Sequence, residues 1–148
     1  MTDRGVRERP RQVGDEAGPV FDVLVAKLRI PPTRPGSVQR ARLIERLERE
    51  VSRPVVSVVA SAGYGKTTLL AQWAERSGQA VAWVSVDEQD NDPKVLLGYV
   101  ARALDAVQPV GQLVFDALAS PASSVPGSVV PRLSNAFAAM TVPVLMSH

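Results

Sequence analysis

The stretch Val55-Val-Ser-Val-Val-Ala60-Ser-Ala-Gly-Tyr-Gly-Lys-Thr-Thr68 decides how this chain is read. Its first half is β-branched and apolar on consecutive positions, which predicts a strand over residues 54–59 buried on both faces of a parallel sheet. A glycine-rich turn follows, and then Leu69, Leu70, Trp73 and Ala74 fall on one helical face. Strand, tight loop and helix in that order aim successive backbone N–H groups and the positive end of a helix dipole at one spot, an arrangement suited to a polyphosphate. Ala60, Ser61, Ala62, Gly63, Tyr64, Gly65, Lys66 and Thr67 have the spacing of a Walker A loop, with Ala60 in place of the first glycine. Gly63 and Gly65 supply unusual dihedrals and close backbone approach. Lys66 offers a point charge to the β- and γ-phosphates, and the Thr67 hydroxyl is the candidate magnesium ligand. Thr68 adds a contact nearer the α-phosphate. A nucleotide with Mg2+ is therefore the expected ligand.

Working outward, Leu43, Ile44, Leu47 and Val51 recur at helical spacing, with Glu45 and Arg49, and Arg46 and Glu50, as i,i+4 opposite-charge pairs. An amphipathic helix is predicted there, ending near Arg53-Pro54. Before it, the apolar residues 20–30 stop at Pro31-Pro32 and read as an extended lead-in. On the other side of the loop, Gly78 is placed to end the first helix, and a second strand is predicted over residues 80–86 with Trp83 in the core. Asp92-Pro93 reads as an N-cap followed by proline at N1, opening a helix with Leu97, Val100, Ala101 and Leu104 on one face. A weak helix is predicted over residues 111–118, a Ser/Pro-rich loop over 119–127, a helix over 128–140 with Val129, Leu133 and Phe137 in register, and a last strand over 141–146. The alternation is that of an α/β fold, a parallel sheet with flanking helices.

Composition narrows the function classes. The chain has 148 residues, no cysteine and one histidine, which excludes thiolate zinc and a cysteine nucleophile and disfavours triad chemistry. The net charge of +2 hides an asymmetry: residues 1–53 hold 12 Lys/Arg against 8 Asp/Glu, and the rest 5 against 7. Arg4, Arg7, Arg9 and Arg11 are interrupted by acids and carry no interleaved aromatic, so residues 1–18 read as a solvated tail rather than a nucleic-acid arm. Neither a signal peptide nor a membrane span is discernible, and a cytoplasmic location is expected. Residues 19–53 then form the lead-in and first helix, and residues 54–148 the nucleotide-binding part.

Several segments in order carry a resemblance: Ala26-Lys-Leu-Arg-Ile-Pro-Pro32, Gln39-Arg-Ala-Arg-Leu-Ile-Glu-Arg-Leu47, Ala60-Ser-Ala-Gly-Tyr-Gly-Lys-Thr-Thr-Leu-Leu-Ala-Gln-Trp-Ala74 and Val81-Ala-Trp-Val-Ser-Val-Asp-Glu-Gln-Asp-Asn-Asp-Pro93. Together they resemble the N-terminal part of the ATP-binding domain of MalT-like, LuxR-type transcriptional regulators, which are STAND-class P-loop ATPases. The resemblance implies that the nucleotide is ATP, and that the protein is an ATP-dependent switch coupled to a distant helix-turn-helix. It also implies that the segment before the loop forms the adenine side of the site, with Arg40 as a nucleotide-proximal residue. Ala41, Ser61 and Tyr64 depart from the usual pattern without removing a backbone donor.

Asp87, Glu88, Asp90 and Asp92 invite a metal or catalytic reading, but a polar loop with Asp92 capping a helix is favoured. In the resembled family the Walker B strand ends in two aspartates; here Val142-Pro-Val-Leu-Met146 is followed by Ser147-His148. The expected fold is thus a P-loop NTPase-type sheet, incomplete and truncated at its third strand. Hydrolysis by this chain alone is not expected, since no acid on that strand can position water. The resembled class also places a later strand between the P-loop and Walker B strands, so the sheet should either hold a gap or re-pair, leaving an apolar edge open to self-association. DNA binding is not expected of this fragment. The alternatives are a small P-loop kinase or NTPase and a non-functional gene fragment.

Overall fold

A computed structural model describes residues 24–50, 52 and 56–148. The expected tail over residues 1–18 and the start of the lead-in lie outside the described residues, as do Val51 and residues 53–55.

Among the described residues, five α-helices and two strands make a mixed α/β arrangement: α1 (Ala41–Arg49), α2 (Lys66–Ser77), β1 (Ala82–Ser85), α3 (Pro93–Asp105), α4 (Gln112–Ala119), α5 (Val130–Ala138) and β2 (Val144–Ser147). The strands pair in parallel, Ala82 opposite Val144 and Ser85 opposite Ser147. Parallel pairing needs a long crossover, and α3, α4 and α5 provide it. Helix boundaries follow local chemistry. Asp92 caps α3, its carboxylate accepting from the Lys94 and Val95 N–H groups ahead of Pro93. At the far end of α2, Gly78 takes φ 62° and lets the chain leave the helix.

Alternation along the strands sorts the core into two sides. Ala82 and Val84 join Val100, Ala101, Leu104, Val114, Val129 and Leu133 in the larger cluster, beneath α3, α4 and α5. On the opposite face Leu145 packs against the smaller cluster of Ile44, Leu69, Trp73 and Ala74, which holds α1 and α2 together. Trp83 is a core residue, 1% exposed, its indole N–H donating to Ser85 Oγ at 2.9 Å. Val100, Ala101 and Leu104 are buried on one face of α3, with Leu97 partly buried beside them.

Several elements differ from the sequence expectation. The strand predicted over residues 54–59 is absent in the described residues 56–59, which form no strand. Val56 is 45% and Val59 87% exposed, so they are not buried on both faces. A strand exists only with a hydrogen-bonding neighbour, and β2 is paired to β1 instead. An open cleft of about 670 Å³, lined by Val58 and Val144, lies beside this segment, and the described residues 56–59 do not re-pair with β2. The last strand starts at Val144 rather than 141, because Pro143 has no N–H to give the ladder and contributes only its carbonyl, to Ala82 N–H at 3.1 Å. The helix predicted over residues 128–140 opens as a π-type turn (Val125–Val129), with Ser124 Oγ accepting from Gly127 N–H, and α5 takes over at Val130. Val129 and Leu133 are buried, but Phe137 is 39% exposed and faces the open cleft. The lead-in contains one 3-10 turn (Val25–Leu28). No described helix is long and apolar enough to cross a membrane.

Candidate functional site

The loop from Ala60 to Thr68 owes its shape to two glycines. Gly63 has φ 80° and Gly65 φ 73°, both in the left-handed region where a side chain costs roughly 1–2 kcal/mol. Between them the exposed Tyr64 donates its N–H to Ser61 O at 3.4 Å. Gly65 is also the N-cap of α2, and no side chain caps that helix end. Lys66, Thr67 and Thr68 form its first turn, whose N–H groups have no carbonyl upstream within the helix. The positive end of the α2 dipole therefore opens into the loop.

Lys66 folds its ammonium across the loop, donating to Ala60 O at 2.9 Å and Ser61 O at 3.2 Å. Both contacts are exposed and made to carbonyls, so a stronger acceptor such as a phosphate oxygen can replace them. Arg40, just ahead of α1, lies against the loop: a Cβ on Gly65 would stand 3.3 Å from its Nη2. Thr67 Oγ1 shares a hydrogen bond with Ser147 Oγ, 2.5 Å away at the end of β2.

Two open cavities flank the loop. One, of about 890 Å³, is bounded by Ala62, Gly63, Lys66 and Thr68 on one side and by Pro31, Pro32 and Thr33 of the lead-in on the other, with His148 at its margin. The second, of about 580 Å³, lies between Arg40 and Tyr64. Ser61 and Ala60 are exposed at the loop's start. The structure thus brings Arg40 and the predicted loop residues together around one helix terminus.

The acidic segment after β1 is organised differently. Asp90, its side chain 3% exposed, holds Lys27 Nζ at 2.8 and 2.7 Å, and Asp87 holds the same ammonium at 2.9 Å. Asp90 also accepts the Asp87 N–H at 2.9 Å, and Asp87 accepts from Gln89 N–H, closing a capping box over the 3-10 turn Glu88–Asp90. Hydrogen bonds from Lys27 to Asp90 and then Asp87 raise the lysine above its ordinary pKa. The Lys27 bond, and next the Gln89 N–H, hold the Asp87 carboxyl below the usual carboxylate range. Lys27 also stands 5.3 Å from the centroid of the Tyr99 ring on α3. These acids anchor the lead-in. Among the described residues no group of three His, Cys, Asp or Glu could hold a metal ion.

Sequence reasoning missed Lys27, the lead-in wall at Thr33, and Ser147. Lys27 lies within the quoted segment around Pro31-Pro32, but nothing in its spacing announces a partner 63 positions away. Ser147 offered no signal beyond standing at the end of the last strand.

Part of the chain is similar to characterised proteins. It is 38% identical over 82 residues to the HTH-type transcriptional regulator MalT of Serratia proteamaculans, covering 55% of this chain and 9% of that protein. The MalT of Vibrio cholerae is 35% identical over 77 residues, 49% of this chain and 8% of that protein. The serine/threonine-protein kinase PknK of Mycobacterium tuberculosis is 37% identical over 75 residues, 49% of this chain and 7% of that protein. The chain therefore spans less than a tenth of the length of these relatives. No family model matches, and no solved structure matches. What the comparisons establish is partial homology, over about half of the chain, to the transcriptional regulator MalT and the protein kinase PknK.

Proposed function

We propose that this chain is an ATP-binding module of the kind found in MalT-like, LuxR-type regulators, taking the nucleotide's phosphates in the loop at Ala60, Ser61, Ala62, Gly63, Tyr64, Gly65, Lys66, Thr67 and Thr68. The observation that carries the reading is the pair of left-handed glycines feeding an uncapped helix start, with a lysine at the first helical position. Backbone donors, dipole and ammonium converge there, and the side chains present suit a polyphosphate. MalT and PknK carry different names yet each matches about half of this chain, which favours a common module over the kinase activity named in one of them.

In this reading the N–H groups of the first turn of α2 orient the phosphates. Lys66 exchanges its carbonyl partners Ala60 and Ser61 for phosphate oxygens. Arg40 presses on Gly65 from the α1 side, and the prolines of the lead-in wall the larger cavity where base and ribose fit. Thr67 would hold the accompanying Mg2+, which when bound neutralises charge between the phosphates. DNA reading is not assigned to these residues.

Calorimetric titration with Mg-ATP tests the reading against Lys66→Ala. Losing a charged hydrogen bond to phosphate weakens binding roughly tenfold to a hundredfold. Identical heats from both proteins would overturn the proposal.

A further inference from the structure

Side chains two apart on a strand share a face. Leu145 faces the α2 cluster, so Ser147 must face α2 as well, and it meets that helix at its second residue, Thr67. Ser147 is 6% exposed, buried at the point where β2 ends beside the phosphate-binding loop. The two hydroxyl oxygens stand 2.5 Å apart. A serine or threonine hydroxyl carries two lone pairs and one rotatable proton, so each can turn a lone pair outward to a cation. Around Mg2+, ligands at 2.0–2.1 Å place adjacent vertices of an octahedron about 2.9 Å apart. The pair need open by only about 0.4 Å to occupy two such vertices.

Resting on the nucleotide-binding reading above, we infer that Thr67 and Ser147 together form a two-hydroxyl cradle for the divalent cation that accompanies the nucleotide, with Ser147 supplying the strand-side oxygen. Both oxygens are neutral, and Asp87, the nearby acid beyond β1, is tied to Lys27. Cation affinity then comes chiefly from the phosphates, and the protein selects the metal–nucleotide complex without holding the metal by itself. The competing account makes the hydroxyl pair a structural pin between α2 and β2. The two accounts differ in what the removal of Ser147 disturbs: the cradle predicts a loss confined to metal, the pin a loss of helix placement that metal-free nucleotide also feels.

The test uses the 148-residue chain, a non-hydrolysable ATP analogue in the presence of a chelator, and then Mn2+ titrated into the analogue complex with free Mn2+ read by electron paramagnetic resonance. Ser147→Ala is expected to weaken Mn2+ binding about threefold to tenfold while metal-free analogue affinity stays within twofold. Ser147→Thr, which keeps the oxygen, should bind Mn2+ as the wild type does, and Ser147→Asp, which adds a charge, at least tenfold tighter. Unchanged Mn2+ affinity in Ser147→Ala, or an equal loss without metal, overturns the inference. Should that variant lose its helical circular dichroism, Ser147→Thr against Ser147→Asp decides, and equal Mn2+ affinity for the two overturns it. The metal-free titration of wild type against Lys66→Ala reads the nucleotide proposal separately; equal affinities there overturn both.

Discussion

Replacing Gly65 by alanine perturbs the candidate site through two separable effects. At φ 73° an L-residue sits in the left-handed region, which costs roughly 1–2 kcal/mol. The new Cβ would also stand 3.3 Å from Arg40 Nη2, a tight approach to the end of a flexible side chain, adding no more than about 1 kcal/mol. Gly78→Ala is the matched control, because at φ 62° it carries the same backbone cost with no heavy atom within 4 Å of the added carbon. Urea unfolding should therefore show both variants destabilised by about 1–2 kcal/mol, Gly65→Ala by the larger amount. Thermal midpoints fall by roughly 2–4 °C for each kcal/mol in a chain of this size. Arg40→Ala in the Gly65→Ala background removes the contact and should recover the difference between the two glycine variants, measured as a double-mutant cycle. ATP titration separates the sites, since Gly65→Ala bends the loop and weakens binding, whereas Gly78→Ala, a full helix away, leaves it unchanged. A Gly65→Ala protein as stable as wild type, or binding ATP as tightly as Gly78→Ala, refutes the role given to this loop geometry.

Three further outcomes follow from the same structure. The Lys27 cluster gives stability a defined pH window: the lysine's raised pKa makes its contribution complete below about pH 10 and lost as pH climbs through the folded value, and the lowered Asp87 makes its own complete above about pH 4 and lost as pH falls further. Urea midpoints measured from pH 7 to 3 should then fall less steeply in Lys27→Met than in wild type, and parallel slopes would contradict the assignment. Asp92→Ala removes the cap of α3 and should cost about 1 kcal/mol while leaving ATP affinity untouched; a loss of affinity by titration would return the acidic segment to the site. Trp73→Phe should cost less than Trp83→Phe by chemical denaturation, since Trp73 Nε1 is buried with no partner among the described residues and Trp83 Nε1 donates to Ser85. The reverse order would mean that Trp73 has an acceptor in solution.

What could be read from the sequence divides along the range of the interactions. The α3 start at Asp92-Pro93, the α2 end at Gly78 and the loop at Gly63 and Gly65 are set by dihedral preferences and hydrogen bonds within a few residues, and each stands where the sequence puts it. The buried faces of α2 and α3 were legible for the same reason, as a 3.6-residue period at Leu69, Trp73, Val100 and Leu104. Val56, Val58 and Val59 have the composition of an interior strand, yet burial in a sheet is conferred by neighbours, and composition cannot supply a neighbour. Phe137 failed likewise: it has the period of a buried residue but lies over the open cleft. The Lys27 and Asp90 pair and the Thr67 and Ser147 pair join residues 63 and 80 positions apart, and no local pattern encodes either.

The lead-in takes its meaning from those long-range contacts. At one end Lys27 is fixed to Asp90 and Asp87, and Leu24 N–H reaches the Tyr99 hydroxyl at 3.4 Å, so this end belongs to the large core beneath α3. Further on, Thr33 Oγ1 donates to Glu75 at 3.1 Å and Val38 O accepts from Gln72 Nε2 at 3.3 Å, both on α2. Arg40 then closes on Gly65. The segment is thus a strap joining the α3 side to the loop side, and it forms a wall of the larger cavity on the way. Its two ends are held by different physics. The Lys27 end is an ion-pair cluster with Asp90 buried, costly to break because a carboxylate would be left without its cation. The Thr33 contact is exposed and neutral to charged, and therefore weaker and easily exchanged with water. The strap is consequently held more firmly at Lys27 than at its α2 end, where Thr33 meets the helix that carries Lys66 and Thr67.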